Sequence, residues 1–289
     1  MQDLIALDAM RAWSHAEQVR GRRVALVPTM GFLHEGHLRL VDRARELADR
    51  VVLSIFVNPL QFGPGEDFER YPRDLPRDRA LAEGRAVDVL FLPERAAMYP
   101  ADPAVRVAPG TMGETLEGAA RPGHFAGVLT VVLKLFAIVQ PDVAVFGRKD
   151  FQQATLVRRM AADLDLPVMI DVAPTVRELD GLALSSRNAY LAPAERRSAL
   201  ALSRCLRAVE QAWRGGEASA TALTRRGLEV LTQPGVIPEY VALVDERLQP
   251  VARVTAATVA VVAARVGKTR LIDNVVLGDG VAGDVAVRS

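Results

Sequence analysis

Two of the four histidines lie three residues apart, at His34 and His37, shortly after an apolar run at residues 24–27. Met30 and Gly31 stand between that run and the histidines, and glycine lets the backbone approach a ligand closely. This position is typical of a loop from a strand into a helix, where N–H groups and the helix dipole favour phosphate. Imidazoles can donate hydrogen bonds there without a permanent double charge. A pair of capping or packing histidines is the alternative, but the context favours a phosphate site.

A lysine follows a second apolar run, at residues 143–146, in the segment Gly147-Arg148-Lys149-Asp150. Lysine is scarce, with three in the chain beside 33 arginines. A cation at the start of a helix is unfavourable unless an anion binds beside it. Lys149 is therefore a candidate phosphate ligand, and an exposed loop lysine is the alternative.

A third polar cluster reads Leu184-Ser185-Ser186-Arg187. Two hydroxyl groups and a guanidinium suit the oxygens of a triphosphate. Alone, this pattern is weak and is usually a turn.

Short apolar runs alternate with helical patterns through the first 175 residues. The predicted strands are residues 24–27, 51–57, 87–92, 143–146 and 168–172, and the predicted helices are residues 37–49, 127–139 and 151–164. Strands that are apolar throughout and separated by helices predict a parallel sheet covered on both faces. The ligand site of such an α/β sheet lies at the carboxyl ends of its strands.

The pattern changes after Pro174 and predicts a smaller α+β region. Two helices are expected at residues 193–215 and 218–231, the first with proline in its opening turn. Strands are expected at residues 240–244, 259–262 and 271–277. We therefore expect two domains, residues 1–175 and residues 176–289.

The composition favours a cytoplasmic protein. The formal net charge of +1 gives no bulk support for a nucleic-acid or membrane partner. The one cysteine, Cys205, cannot form an internal disulfide, and no basic region followed by an apolar run opens the chain. The apolar stretch at residues 125–139 carries Lys134 and is too short to span a bilayer.

Three generic motifs fail on inspection. Residues 278–283 match GxGxxG, but no helix is expected to follow, so we expect a flexible tail there. Gly267-Lys268-Thr269 resembles the end of a P-loop, but Val262 stands where its leading glycine belongs. The spacing of His34 and His37 is one residue short for a zinc-protease motif. No metal ligand is identified.

Taken together, the clusters resemble the pantothenate synthetase (pantoate–β-alanine ligase) family over nearly the whole chain. The pair of histidines alone would indicate only the wider group of nucleotidyltransferases and class I tRNA synthetases. The further matching segments are FVNPLQFG at residues 56–63, RYPR at 70–73, MYP at 98–100, RPGHF at 121–125, PTVRE at 174–178 and TRLIDN at 269–274.

The resemblance implies a two-step reaction with ATP as co-substrate and Mg²⁺ present. Pantoate attacks the α-phosphorus of ATP and releases pyrophosphate, and β-alanine then attacks the pantoyl adenylate to give pantothenate and AMP. The implied fold is a Rossmann-type lobe that binds ATP and pantoate, with a smaller C-terminal lid domain. Members of the family are usually homodimers.

The resemblance also implies site residues. His37 resembles the residue usually assigned as proton donor, and His34 and Lys149 resemble the groups that act with it on the phosphates. The positions implied to bind ATP are Met30, Gly31, His34, His37, Gly147, Lys149, Asp150, Val176, Leu184, Ser185, Ser186 and Arg187. The positions implied to line the substrate site are Gln61, Gln153, Arg121 and His124, with Gln61 and Gln153 on pantoate.

One departure from the family pattern is Leu184, where methionine is usual, and this exchange keeps volume and apolarity. Two other functions stay open at this point. One is an adenylyl- or cytidylyltransferase that releases a nucleotide product instead of AMP. The other is a nucleotide sensor without turnover, which would be expected to lack Lys149 or one of the paired histidines.

Overall fold

Six strands form a wholly parallel sheet in the N-terminal part of the chain. The computed structural model describes residues 1–100 and 104–287. The strands are β1 (Gln2–Leu4), β2 (Val24–Thr29), β3 (Arg50–Ile55), β4 (Val89–Phe91), β5 (Val143–Gly147) and β6 (Met169–Ala173). Their spatial order is β1-β4-β3-β2-β5-β6, with every pairing parallel. The predicted parallel α/β sheet is confirmed, and the ends of the five predicted strands differ from the observed ones by at most two residues, whereas β1 is not predicted.

Helices connect these strands, as parallel pairing requires. They are α1 (Leu7–Val19), α2 (Glu35–Leu47), α3 (Leu75–Gly84), α4 (Arg95–Met98), α5 (Glu117–Ala120), α6 (His124–Val139) and α7 (Phe151–Asp163). Helix α6 is buried along most of its length because its residues are apolar on nearly every side. It begins three residues before the predicted start.

The sequence patterns give no prediction for α1 or α3, and the buried residues of these helices explain why. In α1 the buried positions are Met10, Ser14 and Glu17, and in α3 they are Asp78 and Ala82. Their spacing is helical, but most are polar or small, so hydrophobic periodicity does not reveal them. The carboxylate of Glu17 is compensated by three arginines instead of by solvent.

The C-terminal part combines two long helices with two small sheets. Its elements are β7 (Val176–Glu178), α8 (Pro193–Arg214), α9 (Ala220–Leu231), β8 (Val236–Val244), β9 (Val259–Val266), β10 (Thr269–Val276) and β11 (Val285–Val287). Strands β10, β9 and β8 form an antiparallel sheet, and helices α8 and α9 share its apolar core, which includes Cys205. Helix α8 starts with Pro193 in its first turn, as predicted.

The expectation of a flexible tail at residues 278–283 is wrong. Strand β11 pairs in parallel with β7, and the N–H of Val285 donates to the carbonyl of Thr175 at 2.9 Å. Val281 is buried, and its N–H donates to Glu210. The sequence pattern does not predict this ordered segment, because its buried apolar residues, Val281 and Val287, are separated by polar and small residues.

The described residues divide into two units. Within the described ranges, unit 1 comprises residues 1–147 and 152–173, and unit 2 comprises residues 148–151 and 174–287. The short segment Arg148–Phe151 therefore belongs with the C-terminal part although its neighbours in sequence belong to unit 1. Across the described part of the chain, no helix has both the length and the apolarity needed to cross a membrane.

Candidate active site

The loop after β2 has a fixed conformation in which Asp78 takes part. Gly31 and Phe32 both have positive φ, 84° and 52°. A Cβ on Gly31 would lie 2.9 Å from Cγ2 of Ile55, so glycine is required both by space and by φ. The carboxylate of Asp78 accepts hydrogen bonds from the N–H groups of Phe32 and Leu33, each at 2.7 Å. Burial raises the pKa of Asp78 although these two N–H groups act to lower it.

The two histidines stand at the start of α2, at the carboxyl end of β2, as predicted. His34 is the residue that precedes the helix, and His37 lies in its first turn. The ring centroids are 4.1 Å apart. The backbone N–H of His34 donates to Nδ1 of His37 at 3.3 Å, which places the proton of a neutral His37 on Nε2. The His37 side chain therefore caps the helix by accepting this N–H, and both imidazole groups lie at the positive end of the helix.

Gln61 is buried, and a polar network holds its side chain. The side-chain amide of Asn58 donates to Oε1 of Gln61 at 3.0 Å, and Nε2 of Gln61 lies 3.2 Å from Sδ of Met30. Tyr99 in turn donates to Oδ1 of Asn58 at 2.9 Å, and burial raises the pKa of Tyr99 to about 12, so the phenol keeps its proton. A Cβ on Gly127 would overlap the carbonyl of Leu60, so only glycine lets α6 approach this segment.

Arg121 and His124 both form hydrogen bonds with the main chain of Gln61. Nδ1 of His124 donates to the Gln61 carbonyl at 2.8 Å, and Arg121 donates to the same oxygen at 3.2 Å. Glu66 accepts two hydrogen bonds from the Arg121 guanidinium, at 2.7 and 2.6 Å. Arg121 also donates to Nε2 of His124 at 3.0 Å.

These contacts keep His124 neutral. Burial, and to a smaller extent the Arg121 charge, lower the pKa of His124 to about 4, against weaker opposing effects of Gln61 and Glu66. Burial would raise the pKa of Glu66, but the hydrogen bonds and the charge of Arg121 bring it below its ordinary value. The result is a neutral imidazole between an ion pair and a carbonyl group.

The adjacent glutamines of α7 have different surroundings. Gln152 is buried, donates to the carbonyls of Met112 and Thr115, and accepts from the N–H of Glu117. Gln153, which the resemblance assigns to pantoate, is only half-buried. The hydrogen bonds of the Gln152 side chain therefore stabilise the segment before α6.

In unit 2, Lys149 lies in a short 3₁₀ turn, Arg148–Asp150, directly before α7. Its side chain is mostly buried, and Nζ lies 3.7 Å from Oδ1 of the exposed Asp150. This location agrees with the prediction that Lys149 stands between the end of β5 and the start of a helix.

The third cluster begins directly after a bridge to β7. The N–H of Leu184 donates to the carbonyl of Val176 at 2.9 Å, which brings these two predicted ATP-binding positions together. Ser185 caps the 3₁₀ turn Ser186–Tyr190, because its Oγ accepts from the N–H of Arg187 at 3.3 Å. Ser186 is buried at the start of the turn.

Several residues that complete these arrangements are absent from the sequence-based predictions. They are Asn58, Glu66, Asp78, Tyr99 and Asn274, of which Asn274 donates to the carbonyls of Arg148 and Lys149. Asn58, Tyr99 and Asn274 lie within the segments that carry the resemblance, which could have indicated them, whereas Glu66 and Asp78 lie outside those segments and carry no such signal.

Two other kinds of chemistry have no support in the described residues. Among residues 1–100 and 104–287, no group of three or more His, Cys, Asp or Glu side chains is placed to hold a metal ion. Burial raises the pKa of the Cys205 thiol to about 12, so it is not a nucleophile near neutral pH.

The chain combines a parallel α/β sheet with paired histidines at the start of α2, a lysine turn and a Ser-Ser-Arg cluster. These features define a protein of the nucleotidyltransferase type. The comparisons with known proteins narrow this class. The model of the pantoate-beta-alanine ligase family matches residues 4–276. The chain belongs to the pantoate–β-alanine ligase family.

Relatives of known name and structure are similar over nearly the full length. A pantothenate synthetase from Heliobacterium modesticaldum is 52% identical over 279 residues, covering 96% of this chain and 99% of that protein. The crystal structure of a pantothenate synthetase from Thermus thermophilus has a TM-score of 0.90 at 47% identity, covering 96% and 99% of the two chains. The pantoate–β-alanine ligase of Francisella tularensis, in complex with beta-gamma ATP and β-alanine, has a TM-score of 0.81 at 32% identity, covering 97% and 99%.

Proposed function

We propose that this chain catalyses the ATP-dependent condensation of pantoate with β-alanine, giving pantothenate, AMP and pyrophosphate through a pantoyl adenylate. The observation that carries the proposal is the family match over residues 4–276, within which every donor of the three clusters is present. The Francisella tularensis ligase, in complex with beta-gamma ATP and β-alanine, supports the assignment of these two compounds as substrates.

In the first step, a carboxylate oxygen of pantoate attacks the α-phosphorus of ATP, and pyrophosphate leaves with the bonding electron pair. Stabilisation of negative charge on the phosphates dominates such reactions. We assign this role to His34, His37 and Lys149. Met30, Gly31, Gly147, Asp150, Val176, Leu184, Ser185, Ser186 and Arg187 complete the proposed ATP-binding set.

Neutral amides suit the nucleophile of this step. We assign Gln61 and Gln153 to pantoate, because an ion pair with arginine would hold back the electron pair that must attack phosphorus. Arg121 is committed to Glu66 and to the Gln61 carbonyl, so we assign Arg121 and His124 to orienting Gln61 at the edge of the substrate site.

In the second step, the neutral amine of β-alanine attacks the acyl carbon of the adenylate. The C–O bond to the phosphate breaks, AMP leaves, and the nitrogen loses a proton as the amide forms. Gln61 is the side chain we place nearest to the incoming amine.

Mg²⁺ is proposed to enter as part of the ATP complex. Mg²⁺ keeps several waters and commonly binds through substrate phosphates instead of an all-protein cage. We also propose a homodimer, which sedimentation velocity at micromolar concentration would test.

The proposed function is tested by product analysis with ATP, pantoate and β-alanine. We expect AMP formation that requires both acids, and pyrophosphate release that requires pantoate alone. Release of a nucleotide product other than AMP, or no turnover, would contradict the proposal.

A matched pair of lysine variants tests the phosphate role. Lys149→Ala should lower pantoate-dependent pyrophosphate release by roughly a hundredfold to a thousandfold, the usual loss for a charge-stabilising donor. Lys268→Ala removes an exposed lysine from the turn between β9 and β10 and should leave the rate unchanged. Near-normal release by Lys149→Ala would refute the assignment.

A further inference from the structure

The turn that carries Lys149 is held by an asparagine from a distant part of the chain. Asn274 lies in β10 and is almost fully buried, with 3% of its surface exposed. Its side-chain amide donates to the carbonyl of Arg148 at 2.9 Å and to the carbonyl of Lys149 at 2.8 Å. Both N–H bonds of that amide are therefore used on the two peptide groups that flank Lys149.

A second anchor holds the same turn through the side chain of Arg148. The Arg148 guanidinium donates to Asp279 at 2.5 Å and to Asp284 at 3.1 Å. Both carboxylates belong to the C-terminal segment that ends in β11. The segment whose glycines resembled a flexible tail thus contacts the lysine turn directly.

Arg177 makes the two anchors rigid. All five N–H donors of its guanidinium are used: two on Asp273, one on Asp284, and one each on the carbonyls of Gly181 and Asn274. Asp273 also accepts from the N–H of Asn274 at 2.8 Å. The buried arginine therefore fixes both the strand that carries Asn274 and the aspartate that holds Arg148.

We propose that Asn274 and the Arg148–Asp279–Asp284 anchor are positioning residues that set the backbone of the Arg148–Asp150 turn and thereby direct Lys149 at phosphate. A lysine side chain is flexible and carries a point charge, so its direction depends on the backbone from which it extends. This inference rests on the proposed role of Lys149 and assigns no contact with substrate to Asn274 itself.

The test combines Asn274→Ala with Lys149→Ala in a double-mutant cycle. In the full-length enzyme, Asn274→Ala should lower kcat/KM for ATP by about tenfold to a hundredfold, since displacements of about 1 Å cost this much. In the Lys149→Ala background, Asn274→Ala should lower kcat/KM for ATP by less than about twofold, because the side chain that Asn274 positions is absent. The KM for pantoate should be unchanged, since the two glutamines belong to unit 1.

The matched control is Gln233→Ala. Gln233 is another side-chain amide of unit 2, and it donates to the carbonyl of Ser198, a carbonyl outside the Lys149 turn. This variant should keep wild-type kcat/KM for ATP. An equal loss from Asn274→Ala with and without Lys149 would overturn the proposal, and so would no loss at all.

A second variant covers the case in which Asn274→Ala does not fold. Asp279 is exposed, so Asp279→Asn weakens the Arg148 anchor without opening the core. We expect a loss of about threefold in kcat/KM for ATP that disappears in the Lys149→Ala background. A loss that persists there contradicts the inference.

Calorimetric affinity for ATP separates this inference from the proposed function. A wild-type protein that binds ATP but forms no AMP contradicts the proposed function. In that case weaker ATP binding by Asn274→Ala, seen only when Lys149 is present, still supports the inference, and unchanged binding overturns it.

Discussion

Substitution of Asp78 tests most directly what holds the loop after β2 in its conformation. Asp78→Ala leaves the N–H groups of Phe32 and Leu33 without the acceptor that each now holds at 2.7 Å. Hydrogen bonds to a charged group contribute about 1.5–3 kcal/mol each. The Leu33 bond is fully buried and the Phe32 bond partly so, which gives a loss of about 3–5 kcal/mol in the free energy of unfolding.

Each unit carries one tryptophan in its helices, Trp13 in α1 and Trp213 in α8, so unfolding of unit 1 can be followed separately. In a Trp213→Phe background, urea unfolding is monitored by Trp13 fluorescence with and without Asp78→Ala. Steady-state adenylation is measured at a temperature where the variant stays folded. We expect kcat/KM for ATP to fall by about tenfold to a hundredfold, because the loop that leads to His34 loses its fixed geometry.

The control is Asp74→Ala in the same helix. Asp74 caps α3, and its carboxylate accepts only an exposed bond from the N–H of Arg77 among the contacts described. Its loss should cost about 1 kcal/mol and leave kcat/KM unchanged. The reasoning would be refuted by a stability loss below about 1 kcal/mol for Asp78→Ala, or by full activity in that variant.

Three further predictions concern other parts of the molecule. Gln61→Ala should raise the KM for pantoate by about tenfold or more and leave ATP affinity near the wild-type value; an unchanged KM in steady-state kinetics would contradict its assignment. The pKa of His124 is about 4 in the folded protein, below its ordinary 6.5, so stability present above pH 6.5 is lost as pH falls from about 6.5 towards about 4. Urea unfolding at pH 7 and pH 5 should show a part of this loss, roughly 2 kcal/mol, that His124→Asn abolishes. Asp273→Ala should cost about 3–5 kcal/mol, since it leaves Arg177 buried with fewer acceptors; a loss below about 1 kcal/mol, from Trp213 fluorescence in a Trp13→Phe background, would contradict this.

The sheet and its long helices could be predicted because their residues are apolar at the positions that are buried. The runs at β2, β3 and β5 are buried on both faces, so they are nearly continuous in sequence. Helices α1 and α3 could not be predicted in this way, because Glu17 and Asp78 occupy positions where the pattern requires apolar residues. The cost of burying Glu17 is offset by three arginines, of which Arg50 is distant in sequence, and that of burying Asp78 by N–H groups about 45 residues away.

The candidate active site likewise has a part that local sequence predicts and a part that it does not. The positions of His34, His37 and Lys149 follow from a rule about strand ends and helix starts, which needs only local sequence. The contacts of Arg121 and Asn274 do not follow from local sequence. Arg121 is 55 residues from Glu66, and Asn274 is about 125 residues from the 148–150 turn. Such pairings depend on the path of the chain and leave no periodic signal.

The division of the chain at the Lys149 turn has a consequence for recombination between relatives. A chimera with one junction, between residues 173 and 174, would take Asn274, Asp279 and Asp284 from one parent and Arg148 from the other. If residues 148–151 were transferred together with the C-terminal part, Arg148 and Lys149 would come from the same parent as Asn274, Asp279 and Asp284. The smallest exchangeable module of this protein is therefore discontinuous in sequence.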